Sequence, residues 1–235
     1  MKKITISLMF LVLLSCSAFA AHSTRFGVGG QFGFLMDSMN LDKLSDWPGN
    51  NSDDGSNVGS VGGYLFVEQM LPGASNSYRQ TFLGIKAGYD AHFNQNIDVS
   101  QGSVSLYSES WSNSAPIIVY YKVKSKGFAL YGGGGVTYYE VGWKNTSYTD
   151  YRDPTQNEIY PDISRSAIIP TLMIGGELNL GYNFAIDIEG VFNLNSARLD
   201  NNAFALYKPS GEFIDNIHRD ISWFNFNIGL KYYIF

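Results

Sequence analysis

"APIIVYYKVKSKGFALYGGGGVTYY", residues 115–139, decides how this chain is read. An apolar run led by Pro116 breaks at Lys124–Gly127. It resumes as an aromatic and glycine-rich run. Strand side chains point to alternate faces, so the segment reads two residues at a time. Its halves read as antiparallel strands joined by a short turn. The glycines at 132–135 are not a phosphate loop, because the GxxxxGK[ST] frame is missing and the run lies inside a strand. Gly133 and Gly135 share a face with Tyr131 and Thr137, which points to room for bulky neighbours or a sharper bend.

On both sides of this stretch the same period of two recurs, giving eight segments in all: 25–36, 58–70, 78–93, 115–123, 128–143, 164–180, 184–199 and 220–235. Short links at 71–77, 124–127 and 181–183 alternate with long ones at 37–57, 94–114, 144–163 and 201–219. In an up-and-down antiparallel arrangement, alternate connections lie at the same end. All long links then fall on one rim. An ordinary compact domain rarely carries so many long loops. The expectation is therefore all-β: an eight-stranded antiparallel up-and-down transmembrane β-barrel with four long loops on one rim.

The faces carry different chemistry. In 184–195, Phe184, Ile186, Ile188, Gly190, Phe192 and Leu194 alternate with Ala185, Asp187, Glu189, Val191, Asn193 and Asn195. In 25–33 and 82–90 the polar set holds Gly27, Gly29, Gly33, Gly84 and Gly88, and small residues there suit a crowded interior with lipid outside. Interior charges are expected at Arg25, Glu68, Lys86, Asp90, Glu177, Asp187, Glu189 and Lys231. Both signs occur, and buried charges need partners, so a salt-bridged plug is expected rather than a wide pore. Tyr64, Tyr78, Tyr89, Tyr120, Tyr121, Tyr138, Tyr139, Tyr232, Tyr233, Trp143 and Trp223 lie on or near strand ends. They are expected in the interface belts.

At the N-terminus, Lys2 and Lys3 precede the apolar run 4–14 and the small-residue stretch "SCSAFAAHS". That is a signal-peptide pattern, with cleavage expected after Ala20 and a domain over 21–235. Cys16 is the sole cysteine. Cleavage removes it, and with it any disulfide, thiol catalysis or cysteine metal site. The alternative is a lipoprotein end at Cys16, since "LLSC" is similar to a lipobox. Removing Lys2 and Lys3 takes the formal net charge from −5 to about −7. No basic run or zinc spacing supports nucleic-acid binding.

Signal, alternating segments, a rim of long loops and an aromatic carboxy end together resemble the small outer-membrane β-barrel proteins, of OmpX-like, Ail-like, opacity-type and OmpA-barrel kinds. The proline-led strand, short turn and glycine-alternating strand at 115–139 carry the local match. The resemblance implies location in the outer membrane, outer-membrane lipid and the barrel-assembly machinery as partners, and a monomer. It also implies an assembly signal at the carboxy end, at Tyr233 and Phe235. These two fall on the face of Lys231, Gly229 and Asn227, opposite the apolar face of the strand. Either a bulge near Tyr232–Tyr233 restores the phase, or Phe235 does not face lipid.

No catalytic, cofactor or metal motif is present, and the chain is read as non-enzymatic. The alternative of a lipid A-modifying enzyme would draw on His218, Asp215 and Asp220, but "HRDIS" places Ser222 four residues from His218. His92 reads as a rim or interior residue. The long loops, rich in Tyr, Asn, Ser, Gly and Asp, suit a surface that binds a host or matrix ligand. A structural envelope role and a narrow or gated pore are the other readings. Calcium at the acidic first loop has no EF-hand spacing behind it.

Overall fold

The computed structural model describes residues 24–35, 38–39, 58–71, 74–75, 78–101, 104–181, 183–195, 198–207, 213–220 and 224–234. The expected signal peptide, Cys16, nearly all of loop 37–57, Trp223 and Phe235 lie outside them. The described chain is built of strands: β1 (Thr24–Leu35), β2 (Ser38–Met39), β3 (Val58–Met70), β4 (Gln80–Gln101), β5 (Val104–Ser125), β6 (Phe128–Asp150), β7 (Glu158–Ile159), β8 (Ile163–Asn179), β9 (Phe184–Asn193), β10 (Arg198–Tyr207), β11 (Phe213–Asp220) and β12 (Phe224–Tyr233). A 3-10 turn at Pro154–Gln156 precedes β7.

The strands form two antiparallel sheets. The larger has the order β5-β4-β3-β1-β12-β9-β8-β6-β7, and β5 at its end also pairs with β6. That pairing runs from Val104↔Asp150 to Ser125↔Phe128, so the sheet is strongly rolled and has an inner and an outer face. The smaller sheet has the order β10-β11-β2.

The expected eight-stranded transmembrane barrel with four long loops is corrected by this topology. Among the described residues there are twelve strands in two sheets, and the long links are largely strand. Link 94–114 is the continuation of β4 and β5, which pair from Gln95↔Ser110 to Gln101↔Val104. Link 144–163 continues β6 to Asp150 and adds β7. Link 201–219 is a hairpin of β10 and β11. These stretches carry only short apolar alternations, such as Ile97 and Val99, set among Asn, Ser and Asp, which is why they read as loops. Yet "SESWSNS" puts serine at every second position, and its Ser108, Ser110, Ser112 and Ser114 all face inward and are buried. Small hydroxyls inside and larger groups outside also satisfy a pleated sheet.

β4, β5 and β6 have 22, 22 and 23 residues, against 10 in β9 and β12. At roughly 3.3 Å per residue they are on the order of 70 Å long. A strand crosses a bilayer in about 9–11 residues. The apolar outer residues of β5, Ile117, Val119 and Tyr121, lie on its half nearest the Ser125–Phe128 turn. The half at 104–113 stands beyond them as a raised wall.

Packing inside the roll follows one recurring device. An aromatic ring on one strand lies over a glycine on the next. A Cβ at Gly29 would run into the Tyr64 ring, at Gly84 into Tyr120, and at Gly175 into Tyr131. At Gly133 and Gly135 the obstacle is backbone: a Cβ would collide with the Val119 and Ile117 carbonyl oxygens. β5 and β6 approach so closely there that only glycine fits.

Candidate functional site: the charged interior and the raised rim

The strand period places polar side chains on the inner face, and the roll brings together strands that are not sheet neighbours. Lys122 on β5 is fully buried. Its Nζ donates to Glu68 Oε1 on β3 at 2.8 Å, to Glu177 Oε2 on β8 at 2.8 Å, and to the Tyr233 hydroxyl on β12 at 2.6 Å. Tyr233 in turn donates to Glu177 at 2.7 Å, Tyr120 donates to Glu68 at 2.9 Å, and Lys231 reaches Glu177 at 3.2 Å. One ammonium thus ties three other strands across the interior.

A second cluster centres on Lys86 of β4. Its Nζ is 2.5 Å from Glu189 Oε2 on β9, donates to Gln31 Oε1 at 3.1 Å, and lies 3.8 Å from the centre of the Tyr64 ring. Gln31 donates to Asp90 Oδ1 at 2.7 Å, Tyr131 to Glu189 at 2.9 Å, and Tyr64 to Asp187 at 2.8 Å. Ion and hydrogen-bond partners together offset the cost of removing these charges from water.

Of the sequence-chosen residues, Glu68, Lys86, Asp90, Glu177, Asp187, Glu189 and Lys231 are all buried on the inner face. Arg25 sits at the end nearest the short turns. Its guanidinium lies 4.5 Å from the Phe82 ring centre and donates to Gln80 Oε1 at 3.3 Å. The hub of the network, Lys122, is absent from the sequence expectation. Its face in 115–123 also holds Pro116, Ile118 and Tyr120, so it does not read as polar. The tyrosine belt is also corrected. Tyr64, Tyr120, Tyr139, Tyr233 and Trp143 are buried inside, whereas Tyr78, Tyr89, Tyr121 and Tyr232 are exposed. Adjacent residues on a strand face opposite ways, so each of the pairs 120–121, 138–139 and 232–233 could supply at most one belt residue.

The carboxy end is settled as far as Ile234. β12 pairs with β1 from Gly27↔Tyr233 to Leu35↔Asn225 without a shift. There is no bulge at Tyr232–Tyr233, and Tyr233 points inward.

Toward the raised wall the described inner side chains are uncharged. Tyr139 accepts hydrogen bonds from Asn193 and Asn225 at 2.8 and 3.1 Å. His92 is buried, with Nδ1 2.6 Å from Ser112 Oγ and Nε2 3.2 Å from Ser114 Oγ. Both ring nitrogens are engaged, so His92 packs the interior rather than serving as an exposed base. His218 lies on β11, beside Asp200 in the pairing. Among the described residues no group of three His, Cys, Asp or Glu is placed to hold a metal ion.

Outside, the wall is ordered by short polar contacts. Glu109 accepts from Asn145 Nδ2 at 2.9 Å and from the Tyr107 hydroxyl at 2.9 Å, and Lys144 Nζ is 3.2 Å away. Hydrogen bonds from Asn145 and Tyr107, with Lys144 beside them, hold the Glu109 carboxyl below the usual carboxylate range. Asn145 has a φ of 53°, at the irregularity in the β5–β6 register between Tyr107 and Glu109. The 150–160 turn is held by Asn157 Oδ1, which accepts from the Asp150 N–H at 2.8 Å, and by Tyr160 N–H donating to Thr146 O at 2.9 Å. It presents Tyr151 and Ile159, 71% and 89% exposed.

The model of the outer membrane protein beta-barrel domain matches residues 6–233. Among solved structures, OprG from Pseudomonas aeruginosa is 14% identical, with a TM-score of 0.50 over 90% of this chain and 96% of that one. Ail of Yersinia pestis, solved in complex with the heparin analogue sucrose octasulfate, is 10% identical, with a TM-score of 0.44 over 90% and 99% of the two chains. A major outer membrane protein from Thermus thermophilus is 14% identical, with a TM-score of 0.46 over 91% and 100%. No curated protein matches the sequence.

Proposed function

The chain belongs to the outer membrane protein beta-barrel domain family and is a non-enzymatic protein of the outer membrane; from that premise we propose that it is a monomeric envelope protein whose raised rim binds a ligand outside the cell. The observation that carries this reading is the excess length of β4, β5 and β6. About half of each strand is not needed to cross lipid, yet it is paired and hydrogen-bonded. A rigid projecting wall loses little conformational freedom on binding, which favours recognition. The ordered 150–160 turn, with Tyr151, Arg152 and Ile159 at the surface, offers residue types common at binding hot spots.

The interior supports the same division of labour. Lys122 and Lys86, tied to carboxylates on other strands, act as a seal. Solute passage would have to break buried ion pairs. Residues 1–20 serve as the export signal. The Tyr233–Phe235 end is read by the assembly machinery before Tyr233 docks inside.

The test is replacement of 95–110 and 145–160 by short turns, with the membrane half of every strand kept. Correct folding is checked first, by heat-modifiable gel mobility of the outer-membrane fraction. Binding to host cells or immobilised matrix, shown by cells carrying the intact protein, should be lost in cells carrying the variant. Binding that survives in a folded variant overturns the reading.

A further inference from the structure

Between the charged clusters and the layer of Tyr139 and Asn225 above them lies a cavity of about 10 Å³. Its lining includes Lys86, Asp90, Ser114, Thr137, Tyr139 and Asn225. Asn225 is 8% exposed. Its amide nitrogen donates to Tyr139, but its Oδ1 is buried and has no hydrogen-bond partner. An unmet buried acceptor loses its hydration and gains nothing in return, so it is costly. The cavity also adjoins a break in the wall. The β4–β5 pairing steps from Ala87↔Ile117 to Asp90↔Ser114 across Pro116, which lines the cavity. Proline has no N–H to give to the ladder.

We propose that this cavity is a binding site for one resident water molecule, which donates to Asn225 Oδ1 and bridges β12 to the β4–β5 seam at Pro116. The volume is about what one water needs, and the lining offers the two to four polar partners that hold a buried water. The lining carries the Lys86 ammonium together with the Asp90 and Glu189 carboxylates, already matched by the Lys86–Glu189 ion pair and the Gln31–Asp90 hydrogen bond. The unmet group is a neutral acceptor, and a neutral donor satisfies it. The water completes the polar layer where backbone pairing is interrupted.

The test is a crystal structure of the protein at a resolution that shows ordered water, determined from crystals grown in sodium chloride and in choline chloride. The expected result is one fully occupied peak in both salts, about 2.7–3.2 Å from Asn225 Oδ1 and from at least one further lining oxygen. An empty cavity overturns the proposal. So does a peak present only in sodium chloride.

Discussion

Replacing Lys122 with methionine removes the ammonium and keeps most of the side-chain volume. Glu177 would retain Lys231 at 3.2 Å and the Tyr233 hydroxyl. Glu68 would retain only the neutral Tyr120 hydroxyl, and its Oε2 already has no partner. Removing one partner of a buried pair costs about 3–5 kcal/mol, because a charge is left unmatched. Lys122 is fully buried, so added salt should not rescue the variant. The assay is urea unfolding of the protein refolded into lipid vesicles, followed by tryptophan fluorescence and gel mobility. With an m-value of about 2 kcal/mol/M, the midpoint should fall by roughly 2 M. The double variant Lys122→Met/Glu68→Gln removes the unmatched charge with the ammonium. It should recover at least about 1 kcal/mol relative to additivity. A Lys122→Met protein within about 1 kcal/mol of the parent, or strictly additive behaviour in the cycle, refutes the reasoning.

Gly133→Ala should cost about 1–3 kcal/mol in the same unfolding assay, because its Cβ meets the Val119 backbone oxygen. Gly132→Ala, whose Cβ would sit 3.5 Å from Met173 O, should stay within about 0.5 kcal/mol. Equal effects would show that the β5–β6 approach is not as close as described. The Glu109 carboxyl should titrate below the unperturbed value of about 4.3 when followed by NMR. Its folded value is lowered, so its contribution to rim order is present above the unfolded value and is lost as pH falls through the folded one. Asn145→Ala should move that midpoint upward; an unchanged midpoint would remove Asn145 as the leading cause.

The membrane half of the fold is legible in the sequence because its two faces differ sharply. In β9 the alternation of Ile186 and Ile188 with Asp187 and Glu189 fixes both the strand and its facing, and the burial follows it residue by residue. The raised wall is not legible as strand, because over 108–114 its inner face is serine and its outer face is mixed. Hydropathy carries no signal there, while side-chain size does. Lys122 is hidden for a related reason. Its inner-face neighbours Ile118 and Tyr120 are large and apolar, yet the interior is wide enough at that level to bury both beside an ion cluster. The pairing of individual charges is not readable at all. It depends on which strands the roll brings opposite one another, and Lys122 meets Glu68, Glu177 and Tyr233 across non-neighbouring strands.

Single-channel recording of the purified protein in planar lipid bilayers bears most closely on whether the buried ion pairs seal the interior, as the proposed rim function requires. A silent baseline is expected for the parent protein, because Lys122 and Lys86 with their carboxylate partners fill the path. Steady, resolvable openings of the unmodified protein would contradict the sealed interior.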